Sequence, residues 1–181
     1  MTRHIVFLRG INLRGVNRIS MASLRSALEA EGFRDVRTYL QSGNVLLSSA
    51  ASPARVAERI RAVIKTKFGF DIAVVVRSGE ELSSVVRRNP LSKVATDPRR
   101  YLVTFLSDQL PGPAVERLRS VATQEVFAVS SREVYTWHPD GVGRSPLWEK
   151  LASRSLGVTA TSRNWATVTA LLGMADTQTD R

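Results

Sequence analysis

The stretch Asp35-Val36-Arg37-Thr38-Tyr39-Leu40, then Gln41-Ser42-Gly43, then Asn44-Val45-Leu46-Leu47-Ser48-Ser49 decides the fold. Both flanks have strand length and strand-forming side chains, and the three residues between them are turn formers, so the stretch reads as a hairpin. A helix is written on either side of it. Upstream, Ser20 can cap a helix and Ile19 can staple against Leu24. Met21, Leu24 and Leu28 share one apolar face, and Gly32 supplies a left-handed stop. Downstream, Ser52-Pro53 places a cap before proline at the first helical position. Val56, Ile60, Val63 and Ile64 form the buried stripe of that helix, and Gly69 ends it. One step farther out lie two apolar runs of strand length, His4–Leu8 and Ile72–Val76. The order is βαββαβ, a ferredoxin-like unit.

The second half repeats this order imperfectly. A short helix over Glu80–Arg88 ends at Asn89-Pro90. Residues 89–100, which hold Pro90 and Pro98, read as a linker. Tyr101–Leu106 then reads as a strand and Pro113–Ala122 as a helix with Val115, Leu118 and Val121 inward. Val126–Val129 and Arg132–His138 read as strands around Ser130-Ser131. Ser145-Pro146 opens a helix running to Leu156, with Gly157 as its stop. Thr161 or Ser162 is expected to cap a last helix carrying Trp165, Val168, Leu171 and Leu172. The second half is thus a degenerate βαββα plus a C-terminal helix, the pattern of an internal duplication. The expected division is 1–88 for the first half, 89–100 for the linker and 101–181 for the second half. Ile72–Val76 is apolar at every position, and His4–Leu8 sets Ile5 and Phe7 against Val6 and Leu8. Strands apolar on both sides want cover on both sides. The fold class is therefore α+β, two ferredoxin-like halves packed through their sheets.

Composition narrows the function. With 181 residues, 43% hydrophobic and 23% charged, the chain reads as globular and ordered. It has no cysteine, which excludes disulfides and thiolate metal sites. Lys plus Arg is 26 and Asp plus Glu is 16, a net charge of +10. Only Lys65, Lys67, Lys93 and Lys150 are lysines; the other basic residues are arginines. Such a field favours anionic partners: phosphates, nucleic acid and acidic lipids. The N-terminus lacks the apolar core of a signal peptide, and no apolar run approaches membrane-spanning length. A cytoplasmic location without a membrane partner is the expectation.

Catalytic sets are missing. His4 and His138 stand at no metal-ligand spacing from each other or from a carboxylate pair, so no metal site is expected. No nucleophile elbow, P-loop or zincin pattern occurs, and the glycine spacing around Gly10 and Gly15 does not match a dinucleotide fingerprint. No cofactor is expected, and His138 and Glu149 are the only acid–base candidates to name. The polar, glycine-punctuated segments are the better lead. Leu8-Arg9-Gly10-Ile11-Asn12 and Gly15-Val16-Asn17 leave strand 1 towards a helix N-terminus, where backbone N–H groups and the helix dipole favour anions. Arg9 and Arg14 add forked donors. In the expected topology the strand 1 exit and the hairpin tip lie at one end of the sheet, which groups Arg9, Asn12 and Asn17 with Gln41, Ser42 and Asn44. The three asparagines equally suit turn conformations. Arg144, beside Gly141 and Gly143 at a helix start, and Arg163 and Asn164, in the first turn of the last helix, are further candidates. Strand 3 holds no aromatic, and strands 1 and 2 offer only Phe7 and Tyr39, so the base-stacking platform of RNA readers on this topology is lacking.

The same segments carry a resemblance. Leu8–Asn12 with Gly15-Val16-Asn17, Tyr39–Val45, Gly143-Arg144-Ser145-Pro146-Leu147 and Thr161–Val168 resemble the bacterial family known as domain of unknown function sixteen ninety-seven, nearly end to end and in order. One departure is Leu13-Arg14, bulkier and more basic than the glycine-rich turn expected there. The resemblance implies an α+β fold of ferredoxin-like halves and no particular activity. The functional expectation is a binding protein for a phosphate-bearing small molecule or nucleotide. The alternatives are a non-specific nucleic-acid binder and an enzyme of unidentified activity.

Overall fold

The computed structural model describes residues 1–13 and 15–177; Arg14, a candidate for the strand 1 exit, lies outside them. The chain divides into two compact units, the first Met1–Ser84 with the chain from Leu171, the second Val85–Ala170.

In the first unit, β1 (Thr2–Leu8), α1 (Met21–Ala30), β2 (Arg34–Tyr39), β3 (Asn44–Ser49), α2 (Pro53–Phe68) and β4 (Val74–Ser78) follow one another before α3 (Gly79–Arg88) begins. The strands form an antiparallel sheet of order β2-β3-β1-β4. Local signals set the helix ends. Ser20 accepts the Ser23 N–H, Ser52 accepts the Arg55 N–H, and Gly69 closes α2 at φ +76°. At α3, Ser78 Oγ takes the Glu81 N–H at 3.1 Å while the Glu81 carboxylate takes the Ser78 N–H at 2.7 Å, a reciprocal capping box. Val6, Leu8, Val45, Leu47 and Val76 face Leu24, Leu28, Val56, Ile60 and Ile64 in one core. Each such side chain stabilises by about 2 kcal/mol on burial. The alternate residues, Ile5, Phe7, Leu46, Val75 and Arg77, are buried as well, so the strands are covered on both faces.

In the second unit, β5 (Tyr101–Leu106), α4 (Gly112–Val121), β6 (Val126–Ser130), β7 (Glu133–Trp137), a 3-10 turn (Val142–Arg144), α5 (Pro146–Ala152) and β8 (Ala160–Asn164) lead into α6 (Trp165–Asp176). Its sheet has the order β6-β7-β5-β8, again antiparallel throughout. Residues 89–100 form turns within this unit, and Asn89 accepts the Tyr101 hydroxyl at 3.0 Å. Leu106, Leu118, Val134, Leu147 and Leu151 form its core.

Two readings of the second half are corrected. No helix replaces the fourth strand: Ala160–Asn164 is a strand, paired with β5 from Leu102↔Asn164 to Leu106↔Ala160. Thr161 and Ser162 therefore cap nothing. Ser162 meets Thr104 across the pair, hydroxyl to hydroxyl at 2.6 Å, and Asn164 takes the capping role by accepting the Thr167 N–H at 2.9 Å. Cross-strand partners stabilise a strand that local sequence does not announce. The α5 helix also stops at Ala152, short of Leu156. Ser153 Oγ donates to the Lys150 carbonyl and pairs with Ser155 Oγ, local bonds that compete with helix continuation. Among the described residues, no helix is long and apolar enough to cross a membrane.

Candidate functional site

The exit of β1 and the β2–β3 hairpin meet at one end of the first sheet. Register brings Phe7 opposite Asn44, and Leu8 N–H donates to the Gly43 carbonyl at 2.8 Å. Gly43 sits at φ +77°, and a Cβ there would lie 2.7 Å from Leu8 Cβ and 2.9 Å from the Ile11 side chain. Only glycine permits this approach. The loop and hairpin are then tied by Asn12. Its amide donates to the Gln41 carbonyl at 2.8 Å and to the Ile19 carbonyl at 2.9 Å, and its side-chain oxygen accepts the Ile19 N–H at 2.9 Å.

The expected rim residues of the first unit are thus together, with their roles divided. Asn12 and Asn17 adopt left-handed conformations at φ +53° and +49°. Asn17 donates to the Gly10 carbonyl at 3.1 Å. Asn44 is fully buried and donates to the Tyr39 carbonyl and Ser42 Oγ, each at 3.0 Å. These amides hold the loops in shape, the turn chemistry to which asparagine is suited. Gln41 and Ser42 are exposed and Arg9 is half-buried on the same end. Arg18 joins them: its guanidinium lies over Gly15, whose Cβ would meet it at 3.7 Å. Sequence reading missed Arg18, and also the exposed Leu13, Val16 and Leu40. The missed signal is plain in the chain itself. No Asp or Glu precedes Glu29, and none occurs from Val36 to Ala57.

The other candidates lie in the second unit. Arg163 is on β8 and not in the first turn of a helix, where the sequence reading places it. Its guanidinium donates to Thr161 Oγ1 at 2.9 Å and the Ser162 carbonyl at 2.8 Å, and burial brings its pKa down to about 10. Asn164 is the cap described above. Arg144 is exposed at the edge of a cavity of about 60 Å³ with Glu125, His138, Asp140 and Ser145. Burial works to raise the Glu125 pKa, yet donors from Ser145 and Thr123 outweigh it and hold the carboxyl at about 2. An ionised carboxylate beside Arg144 makes this a place of mixed charge. His138 is buried, pairs Nε2 with Thr136 Oγ1 at 2.8 Å and is pushed below its usual pKa by burial; Nδ1 has no partner. Glu149 is exposed in the first turn of α5. His4 is buried in β1 and likewise pushed down by burial, with neither ring nitrogen hydrogen-bonded. No group of three His, Cys, Asp or Glu side chains able to hold a metal occurs among the described residues.

Residues 1–135 match the family model described as protein of unknown function DUF1697. Nine solved chains match. One of them is the conserved bacterial protein SP0830 from Streptococcus pneumoniae, with a TM-score of 0.79 and 22% identity, over 97% of this chain and 99% of that one. At that identity the likeness concerns the fold. No curated protein matches the chain.

Proposed function

The chain belongs to the DUF1697 family, and from that premise we propose that the loop end of its first unit binds a phosphate-bearing small molecule or nucleotide. The strand order of both sheets supports reading each unit as ferredoxin-like. The single observation that carries the functional reading is the Asn12–Gln41 tie. It holds two loops together on which Arg9 and Arg18 stand and no carboxylate occurs. Arginine forks onto phosphate with two parallel charge-assisted bonds, and a field of one sign raises the local concentration of anions. In this reading Arg9, Arg18, Gln41 and Ser42 face the ligand, while Asn12, Asn17 and Asn44 fix their positions.

The net charge of +10 favours a second reading, non-specific attraction to nucleic acid. One experiment separates the two. Titration of the protein with pyrophosphate and with adenosine triphosphate gives saturable binding, and the double variant Arg9→Gln, Arg18→Gln loses roughly tenfold or more in affinity while still melting cooperatively. Binding to random DNA that falls steeply with salt, with no saturable binding of the small anions, replaces the first reading by the second. Absence of both ends the anion reading.

A further inference from the structure

The loop end of the first unit exposes apolar side chains beside its arginines. Leu13 and Val16 are each 60% exposed and Leu40 is 56% exposed. Leu13 and Val16 form an isolated bridge, with the Val16 N–H on the Leu13 carbonyl at 2.8 Å. Leu40 directly precedes Gln41, whose carbonyl holds Asn12. The three therefore sit on two loops that are hydrogen-bonded to each other. Leu40 also has φ +57°, a left-handed conformation unfavourable for a branched side chain and at ease for glycine or asparagine. Exposure and strain fall on one residue, and neither helps the free chain to fold. Strain of that kind marks places where function sets the residue.

Arginines and exposed apolar side chains on the same pair of tied loops complement a surface that is anionic outside and hydrocarbon beneath. We propose that this loop end docks on an anionic lipid surface: Arg9 and Arg18 take headgroup phosphates, and Leu13, Val16 and Leu40 enter the boundary with the acyl chains. The proposal rests on the phosphate reading above and names the source of the phosphate. Adsorption needs no spanning helix. A second copy of the chain fits less well, because two such ends bring like charges together. Nucleic acid fits less well because bases stack on aromatic faces, and the tips present leucine and valine.

The test is sedimentation of the full chain with vesicles of phosphatidylcholine, alone or with about a third phosphatidylglycerol, beside titrations with glycerol phosphate, pyrophosphate and a random oligonucleotide. The expected result is at least roughly tenfold tighter binding to the anionic vesicles than to the neutral ones or to free glycerol phosphate. Leu40→Asn weakens vesicle binding several-fold while its melting temperature holds or rises, since the strained leucine is gone. Arg9→Gln with Arg18→Gln weakens vesicle and pyrophosphate binding together. Unchanged vesicle binding by Leu40→Asn overturns the lipid proposal, as does displacement from vesicles by the oligonucleotide at equal phosphate. Pyrophosphate binding without a preference for anionic vesicles also overturns it and leaves the soluble-phosphate reading standing. If neither vesicles nor pyrophosphate bind, both readings fall.

Discussion

The two units solve the same problem at the same place and diverge one residue later. In the first, the Leu8 N–H leaves β1 and donates to the Gly43 carbonyl in the facing hairpin. In the second, the Leu106 N–H leaves β5 and donates to the Arg132 carbonyl in its own facing hairpin. Beyond this shared bond, the first unit spends residues 9–20 before its helix starts and the second only 107–111. The first hairpin runs through Leu40–Gly43, whereas the second turns on Ser131 and Arg132. The long loop, with Asn12 and Asn17 in left-handed conformations and two exposed apolar residues, is extra material on a frame that closes without it. Residues beyond the needs of the frame are the place to look for function.

The comparison breaks first at Gly43. Its missing Cβ and its left-handed backbone are both required, so Gly43→Ala should cost about 3 kcal/mol or more in denaturant unfolding. A silent substitution would mean that hairpin and exit loop do not approach as described. Next is Asn12→Ala. It strips two carbonyls and the Ile19 N–H of their partners, and it places alanine at φ +53°. A loss of about 2 kcal/mol is expected by the same assay, with phosphate binding lost because the loop no longer holds its arginines. Asn164→Ala probes the second unit, where the asparagine caps a helix and ties no loop. A loss of about 1 kcal/mol is expected there, with phosphate binding intact.

Each unit also buries one histidine, His4 or His138, and burial lowers both below the ordinary 6.5. Between that value and the lower folded one, the unfolded chain binds a proton that the native chain refuses. Stability should therefore fall as pH drops below 6.5, and level off above it. Melting temperature measured from pH 8 to 5 checks this. His138→Gln should flatten part of the slope and leave the His4 part. The smallest effect is a gain. Ser131 turns the second hairpin at φ +51°, so Ser131→Gly should add about 0.5 kcal/mol. No gain there would mean the second hairpin relaxes in solution.

Much of the first unit is legible in its residues. Ser20, Ser52 and Gly69 act where their chemistry says they act, and Leu24, Ile60 and their neighbours face the core that their spacing implies. The β4 strand begins at Val74, two residues later than the apolar run, yet Ile72 is buried all the same. The site is legible in part. Its residues could be grouped from strand order, but asparagine in a turn and asparagine against a ligand use the same atoms, and only the partners of Asn12, Asn17 and Asn44 tell them apart. By its residue type Leu40 reads as the end of a strand. Nothing in its type announces a left-handed backbone, because the hairpin closing on Leu8 imposes it.

The chain by itself determined the α+β class, the caps of the first two helices, the apolar stripes, the shortage of carboxylates near its start and the order of elements through the first sheet. These are local or periodic properties, set by residues within a turn or two of one another. Tertiary structure decided that Ala160–Asn164 is a strand, that Asn12 binds a hairpin distant in sequence, and that Leu13, Val16 and Leu40 are exposed on two loops tied to each other. Strand pairing and loop contact join residues far apart in the chain, so their free energy is released only when the partners have met.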